Sequence, residues 1–312
     1  MNRLAALTTL IAIASSSVLP ASAADVYRWV DQNGNVTYAD RPQPPSDASS
    51  ARAAGTSIDE LLELSGLRVQ LASITVRIAD EFRPGKGQMR PSDQAIIDRV
   101  IREIFRSETM YTSVRNELDR RIDPIKIETA AAWFRSPLGR QIIALEVASS
   151  RTADSKILEY GKSVRNNPAA AKRAALIDRL DEVTGSSELT LDIGAAVIRA
   201  TQKAVSDASE PARKLTRDQI ARLTSDARLR SRDTVRAQVT AAMLYSYRTL
   251  DDRDLEAYVQ FASSEAGRWY TDASRKALLQ AVDAMVDRGA VELVRAVPLE
   301  RWRLARSPTP PR

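Results

Sequence analysis

Between residues 96 and 105 the apolar side chains are Ile96, Ile97, Val100, Ile101, Ile104 and Phe105. Positions i, i+1, i+4, i+5, i+8 and i+9 fall on one stripe only when the backbone is α-helical. The spacing therefore predicts a helix here, with Ser92 ahead of Asp93 as its N-cap. Asp123 before Pro124 and Ser136 before Pro137 each place a capping oxygen ahead of a proline suited to the first helical position. Asn166-Asn167-Pro168 and Gly289 are expected helix ends. After Tyr38 no stretch sustains period-two alternation, so residues 57–306 are predicted to be almost entirely helical. Roughly 250 residues exceed the usual single core, so two subdomains are expected.

The start of the chain has a different pattern. Arg3 precedes an apolar and small-residue stretch from Leu4 to Leu19, followed by Ala21-Ser22-Ala23, the arrangement of a secretory signal cleaved after Ala23. Thr8, Thr9 and Ser15 to Ser17 interrupt the apolar stretch, which is also short for a bilayer span. Residues 24–42 contain two β-prone runs, Val26-Tyr27-Arg28-Trp29-Val30 and Val36-Thr37-Tyr38, around Asp31-Gln32-Asn33-Gly34. A type I turn closed by a glycine bulge would pair Val30 with Val36, whereas a two-residue Asn33-Gly34 turn would set Trp29 opposite Tyr38. Residues 43–56, rich in Pro, Ser and Ala, form the expected linker, and 307–312, with three prolines, the expected tail. The fold class is thus mainly α: two helical-bundle units, 57–167 and 168–306, preceded by a small β-hairpin module.

The body also resembles itself. Glu63-Leu64-Ser65-Gly66 is similar to Glu182-Val183-Thr184-Gly185, and the run Trp133 to Arg140 to the run Phe261 to Arg268, with one extra residue between Phe261 and Ser264 if the phenylalanines are matched. Two units of one plan follow, meeting near Asn166 to Lys172.

The order Tyr27-Arg28-Trp29-Val30-Asp31, Gly34, Tyr38-Ala39-Asp40-Arg41-Pro42 resembles domain of unknown function 4124. That resemblance implies an exported bacterial protein carrying a small β module, and no activity. Leu61-Leu62-Glu63-Leu64-Ser65-Gly66 and Phe134 to Gly139 resemble a second family, the helical domain of unknown function 2059. Its marks are a Leu-rich start with a small-residue-Gly break and an aromatic-x-Ser-Pro-x-Gly corner. The second copy carries Glu265 in place of the proline. This resemblance implies an envelope-associated helical bundle and again no reaction.

Composition then narrows the chemistry. The 312 residues contain no His and no Cys, which removes imidazole bases, thiolate nucleophiles, disulfides and the usual zinc and haem ligands; no cofactor or metal is expected. A formal charge of +6, with 46 basic residues interspersed among 40 acidic ones, does not point to nucleic acid. Glu60/Glu63, Asp181/Glu182 and Asp251/Asp252/Asp254 are the clustered acids, two of them placed where a helix dipole favours negative charge. Tyr27, Trp29 and Tyr38 are either a miniature core or a stacking platform for a sugar ring or Pro-rich peptide. Arg228, Arg232 and Arg236, at i, i+4 and i+8, are either a solvated face or a stripe for an anionic partner. At the corner, Ser136 would cap, Pro137 open the next helix, Gly139 permit close approach, and Trp133 and Phe134 fill the junction. Ser264, Gly267 and Trp269 would repeat the arrangement.

No catalytic constellation emerges. The sequence points to an exported periplasmic scaffold or interaction protein whose partner is an unidentified envelope protein or cell-wall component, with no transmembrane segment after signal cleavage. The alternative is a carboxylate-dependent, glycan-active enzyme of the cell wall, which requires two convergent acids.

Overall fold

The computed structural model describes residues 27–30, 36–39, 56–84, 89–150, 152–165, 167 and 170–304. The expected signal segment 1–23, the expected linker through residue 55 and the expected tail 307–312 lie outside them, as do the side chains of Tyr27, Trp29 and Tyr38. Tyr27–Val30 (β1) and Val36–Ala39 (β2) run antiparallel with Val30 opposite Val36 and Trp29 opposite Thr37.

The rest is helical. The order is α1 (Ile58–Leu64), α2 (Leu67–Glu81), α3 (Pro91–Ile104), α4 (Ser107–Asp119), α5 (Pro124–Arg135), α6 (Pro137–Ser149), α7 (Asp154–Arg165), α8 (Ala171–Thr184), α9 (Ser186–Asp207), α10 (Arg217–Ser246), α11 (Asp252–Ser263), α12 (Glu265–Ala296) and α13 (Leu299–Leu304). Local chemistry sets many of the starts. Asp123 accepts from the Ile125 and Lys126 amides, and Asp251 from Asp254. Thr216 and Gln219 form a reciprocal capping box at the head of α10, satisfying donors that a helix N-terminus leaves open.

Two expected boundaries are corrected. Helix α3 opens at Pro91, with the extended Arg90 (φ −64°, ψ 144°) at the cap position and Ser92 inside the first turn. A residue before proline is forced out of the helical region, and proline itself is pre-set for the first turn, so Pro91 outranks Ser92. Gly289 lies inside α12 and ends nothing. A Cβ there would come 2.9 Å from Phe105 Cε2, so the glycine admits an aromatic ring against the helix.

The interior does not follow the order of the chain. The largest apolar cluster takes Leu61, Leu71, Ile97 and Met110 from the first half together with Ile193, Leu278, Val282 and Val286 from the second. A second cluster joins Ile142 of α6 to Leu180, Leu244, Leu255 and Val259. Two long elements make this possible: α12 packs on α9, α5, α4 and α3, while α10 packs on α9, α7 and α8. At the crossing of α7 and α10, a Cβ on Gly161 would intrude on the Ala241 methyl and lie 2.9 Å from Ala241 Cα, so the glycine lets the two helices approach with only that methyl between them.

Candidate functional site: two matched corners around a cavity

Between α5 and α6 the chain turns at Ser136, which is extended (φ −63°, ψ 159°) and accepts from the Gly139 amide at 3.0 Å. Between α11 and α12 it turns at Ser264 (φ −69°, ψ 167°), which accepts from Gly267 at 3.1 Å. Arg140 donates back to the Arg135 carbonyl and Arg268 to that of Ser263. A Cβ on Gly139 would intrude on the Trp133 carbonyl oxygen and lie 2.9 Å from Phe134 Cα; on Gly267 it would intrude on the Phe261 carbonyl and lie 2.9 Å from Ala262 Cα. Both glycines serve the tight fold-back of their own corner. Equivalent atoms therefore pair Trp133 with Phe261 and Phe134 with Ala262. The extra residue expected from matching the phenylalanines is absent, because the second corner carries its aromatic one position earlier.

The two equivalent rings touch. Trp133 stacks on Phe261 with centroids 3.9 Å apart and planes 4° from parallel, and on Tyr258 at 5.3 Å. Phe134 meets Phe261 and Tyr270 edge-on. The second junction is filled by Phe261 and not by Trp269, whose indole N–H donates to the Arg121 carbonyl at 3.3 Å.

The small-residue breaks match as well. Gly66 (φ +67°) separates α1 from α2 and Gly185 (φ +62°) separates α8 from α9, a left-handed conformation open to glycine at little cost. In the second break Asp181 is buried and accepts from the Ser187 amide and hydroxyl at 2.8 and 2.6 Å, binding α8 to α9.

These elements enclose a partly open cavity of about 230 Å³. Its wall is mainly apolar and aromatic, including Phe134, Ile143, Leu180, Leu189, Phe261 and Leu278, with Glu146 as the only acid among the lining residues. Glu146 Oε1 accepts from the Tyr247 and Tyr258 hydroxyls at 2.7 and 3.1 Å, and Oε2 from the Gln70 amide at 3.1 Å. The side chain is not fully enclosed. It lines the partly open cavity, and desolvation is the largest influence on it. Burial pushes the carboxyl above its usual range, against the opposing effect of its three donors. Burial beside that carboxyl also holds the Tyr247 and Tyr258 phenols well above 10, and burial pushes Tyr270 up to about 12. All three phenols are therefore neutral near pH 7.

The acids that cluster in the sequence lie elsewhere. Glu60 pairs with Arg135, Glu63 with Arg68 and Asp252 with Arg173; Asp181 staples its break, and Asp251 caps α11. None of them lines the cavity. The arginine stripe is uneven. Arg232 and Arg236 are exposed, but Arg228 turns onto α9, where it pairs with Glu188 and with Asp192 at 3.0 Å. Its partners are across the helix interface, on α9. Glu146 has no acidic neighbour in sequence. Its signal is an isolated acid within the apolar run Ile142-Ile143-Ala144-Leu145-Glu146-Val147.

Residues 12–57 match a family described as a domain of unknown function (DUF4124). The match ends at the residue before α1, so the helical body lies outside it. No curated protein and no solved structure matches the chain. Among the described residues no helix is long and apolar enough to cross a membrane, and no group of three potential acidic ligands is gathered for a metal ion.

Proposed function

We propose that this is an exported, non-enzymatic scaffold or interaction protein of the bacterial cell envelope. It would consist of a small β-hairpin module at 24–42, a linker, and a helical body built from two copies of one plan that resembles domain of unknown function 2059. The observation that carries this reading is the use of the ionisable groups. Among the clustered acids Glu60, Glu63, Asp181, Asp251 and Asp252 are engaged in caps, staples and ion pairs, and the central cavity holds one carboxyl. Hydrolysis by paired carboxylates needs a second acid across the scissile bond, and the cavity wall does not provide it. Tyr27, Trp29 and Tyr38 remain the proposed contact surface of the module, and Arg232 and Arg236 the exposed remainder of the basic stripe.

The competing reading, a glycan-active hydrolase, draws its support from Glu146, whose raised affinity for a proton is the property of a general acid. Two measurements separate the readings. Osmotic-shock release of a mature chain beginning at Ala24 is expected; retention in the cytoplasm would defeat the export reading. Incubation with purified cell-wall material should liberate no soluble fragments, and release that is lost in Glu146→Gln would establish the enzyme instead. Capture of the same envelope component by the full mature chain, weakened when 24–42 is deleted, would identify the partner and the role of the module.

A further inference from the structure

The cavity poses a problem of charge compensation. An ionised carboxylate offers about four acceptor positions, and three on Glu146 are occupied by Tyr247, Tyr258 and Gln70. All three donors are neutral and no cation is bonded to Glu146 among the described residues, so the carboxyl is ionised there only at a cost, which a proton or a bound cation relieves. Neither arginine in the wall is bonded to Glu146 among the described residues: Arg275 binds Asp192 at 2.7 Å, and Arg77 feels the charges of Asp154 and Asp80. The open acceptor position is on Oε2, which takes only the Gln70 bond among the described residues.

Around this single acid most of the wall surface is apolar, interrupted by serine and threonine hydroxyls and by the two arginines, and Tyr258 and Phe261 offer aromatic surface of the kind that attracts cations. The volume sets the scale. A cavity of ~150 Å³ accommodates benzene, so about 230 Å³ suits a ligand slightly larger.

We infer that this cavity is a binding site for a small, mainly apolar amine, whose ammonium group donates to Glu146 Oε2 while its hydrocarbon part lies against Phe134, Phe261, Leu180 and Leu189. The site goes beyond the scaffold reading and does not depend on it, since occupancy of the cavity and capture of a macromolecular partner are separate measurements.

Three probes of equal chain length isolate the chemistry: hexylammonium, hexanol and hexanoate, titrated calorimetrically into the mature chain at pH 7. Hexylammonium is expected to bind about tenfold or more tightly than either of the others, a difference of roughly 1.4 kcal/mol. Glu146→Gln should bring it down to the level of hexanol, because the amide keeps a hydrogen-bonding shape and loses the charge. If that variant fails to fold, the ranking of the three probes on the unaltered protein decides. Equal binding of all three would reduce the cavity to an apolar void. Preference for hexanoate would show that the arginines govern it. Absence of saturable binding, or amine binding unchanged in Glu146→Gln, would leave Glu146 as an anchor for Tyr247 and Tyr258 alone. Any of these results overturns the inference.

Discussion

The corner at Ser136 and the corner at Ser264 share a backbone, a capping hydroxyl, a crowded glycine and an arginine folded back onto the preceding helix. They differ in the side chains that leave this frame. In the register the caps define, Ala130 corresponds to Tyr258, Glu146 to Ser274 and Pro137 to Glu265. The carboxyl of the cavity comes from one copy, and one of its phenolic donors comes from a position where that same copy has alanine. What repeats is the mechanical part, the way a helix is turned through a tight bend. What diverges is what the bend presents to the interior. A repeated corner thus supplies two similar walls, and the asymmetry between them gives the enclosed space a single carboxyl.

If the corners are mechanically equivalent, Gly139→Ala and Gly267→Ala should each lose about 2–4 kcal/mol, since backbone must move to admit the new carbon. Urea midpoints of the two variants should agree to within about 1 kcal/mol, and tolerance at one site would break the equivalence. The paired breaks should respond less evenly. Gly66→Ala adds a clash, with its Cβ 2.8 Å from Ile143 Cγ2, to the strain of its positive φ, whereas at Gly185 the nearest atom is the flexible Arg275 Nη1 at 3.2 Å. Losses of about 2 and about 1 kcal/mol are expected in equilibrium unfolding.

A smaller effect probes an acid without a counterpart. Glu81, whose place counted from Gly66 is taken, counted from Gly185, by the buried Ala200, is pushed up to about 7, first by burial and then by Asp80. A carboxyl raised on folding carries no penalty below its unfolded value of 4.5; the penalty grows as pH rises toward about 7 and is constant above. Glu81→Gln should therefore stabilise the protein at pH 8 by about 1 kcal/mol, a figure reduced for partial exposure, and change nothing at pH 4. Thermal melts at the two pH values give the answer, and equal gains at both would assign the effect to something other than titration. The smallest change transplants one corner into the other. Ser264 is already extended, as a residue before proline must be, so Glu265→Pro should alter stability by no more than about 0.5 kcal/mol in the same unfolding assay. It gives up only an exposed contact with Lys126 at 3.1 Å.

The helical body was legible wherever a local rule has few competitors. Asp123 and Ser136 stand before prolines that fix the first helical φ, and both are caps. Ser65-Gly66 and Thr184-Gly185 mark real breaks because a left-handed residue interrupts each. Local rules failed where a neighbour in space decides. Gly289 resembles a terminator until Phe105 is placed against it, and Gly161 gives no hint that Ala241 lies on its other side. Arg228 has acids nearby in sequence and pairs with others on α9. The cavity was the least visible feature. A search for adjacent acids passes over Glu146, whose three partners at positions 70, 247 and 258 come from separate helices and a helix end. Its one trace, an acid in an apolar stripe, identifies an unusual position without naming what surrounds it.

The stacking of Trp133 on Phe261 has a consequence for how this architecture can change. Equivalent positions that press against each other are what an isologous contact between two identical subunits would produce, each ring facing its own image. In such a pair any substitution would alter both sides at once, forcing the two rings to remain alike. Joined in one polypeptide, the partners are released from that constraint, so an indole can face a phenyl and each half can be tuned without its twin.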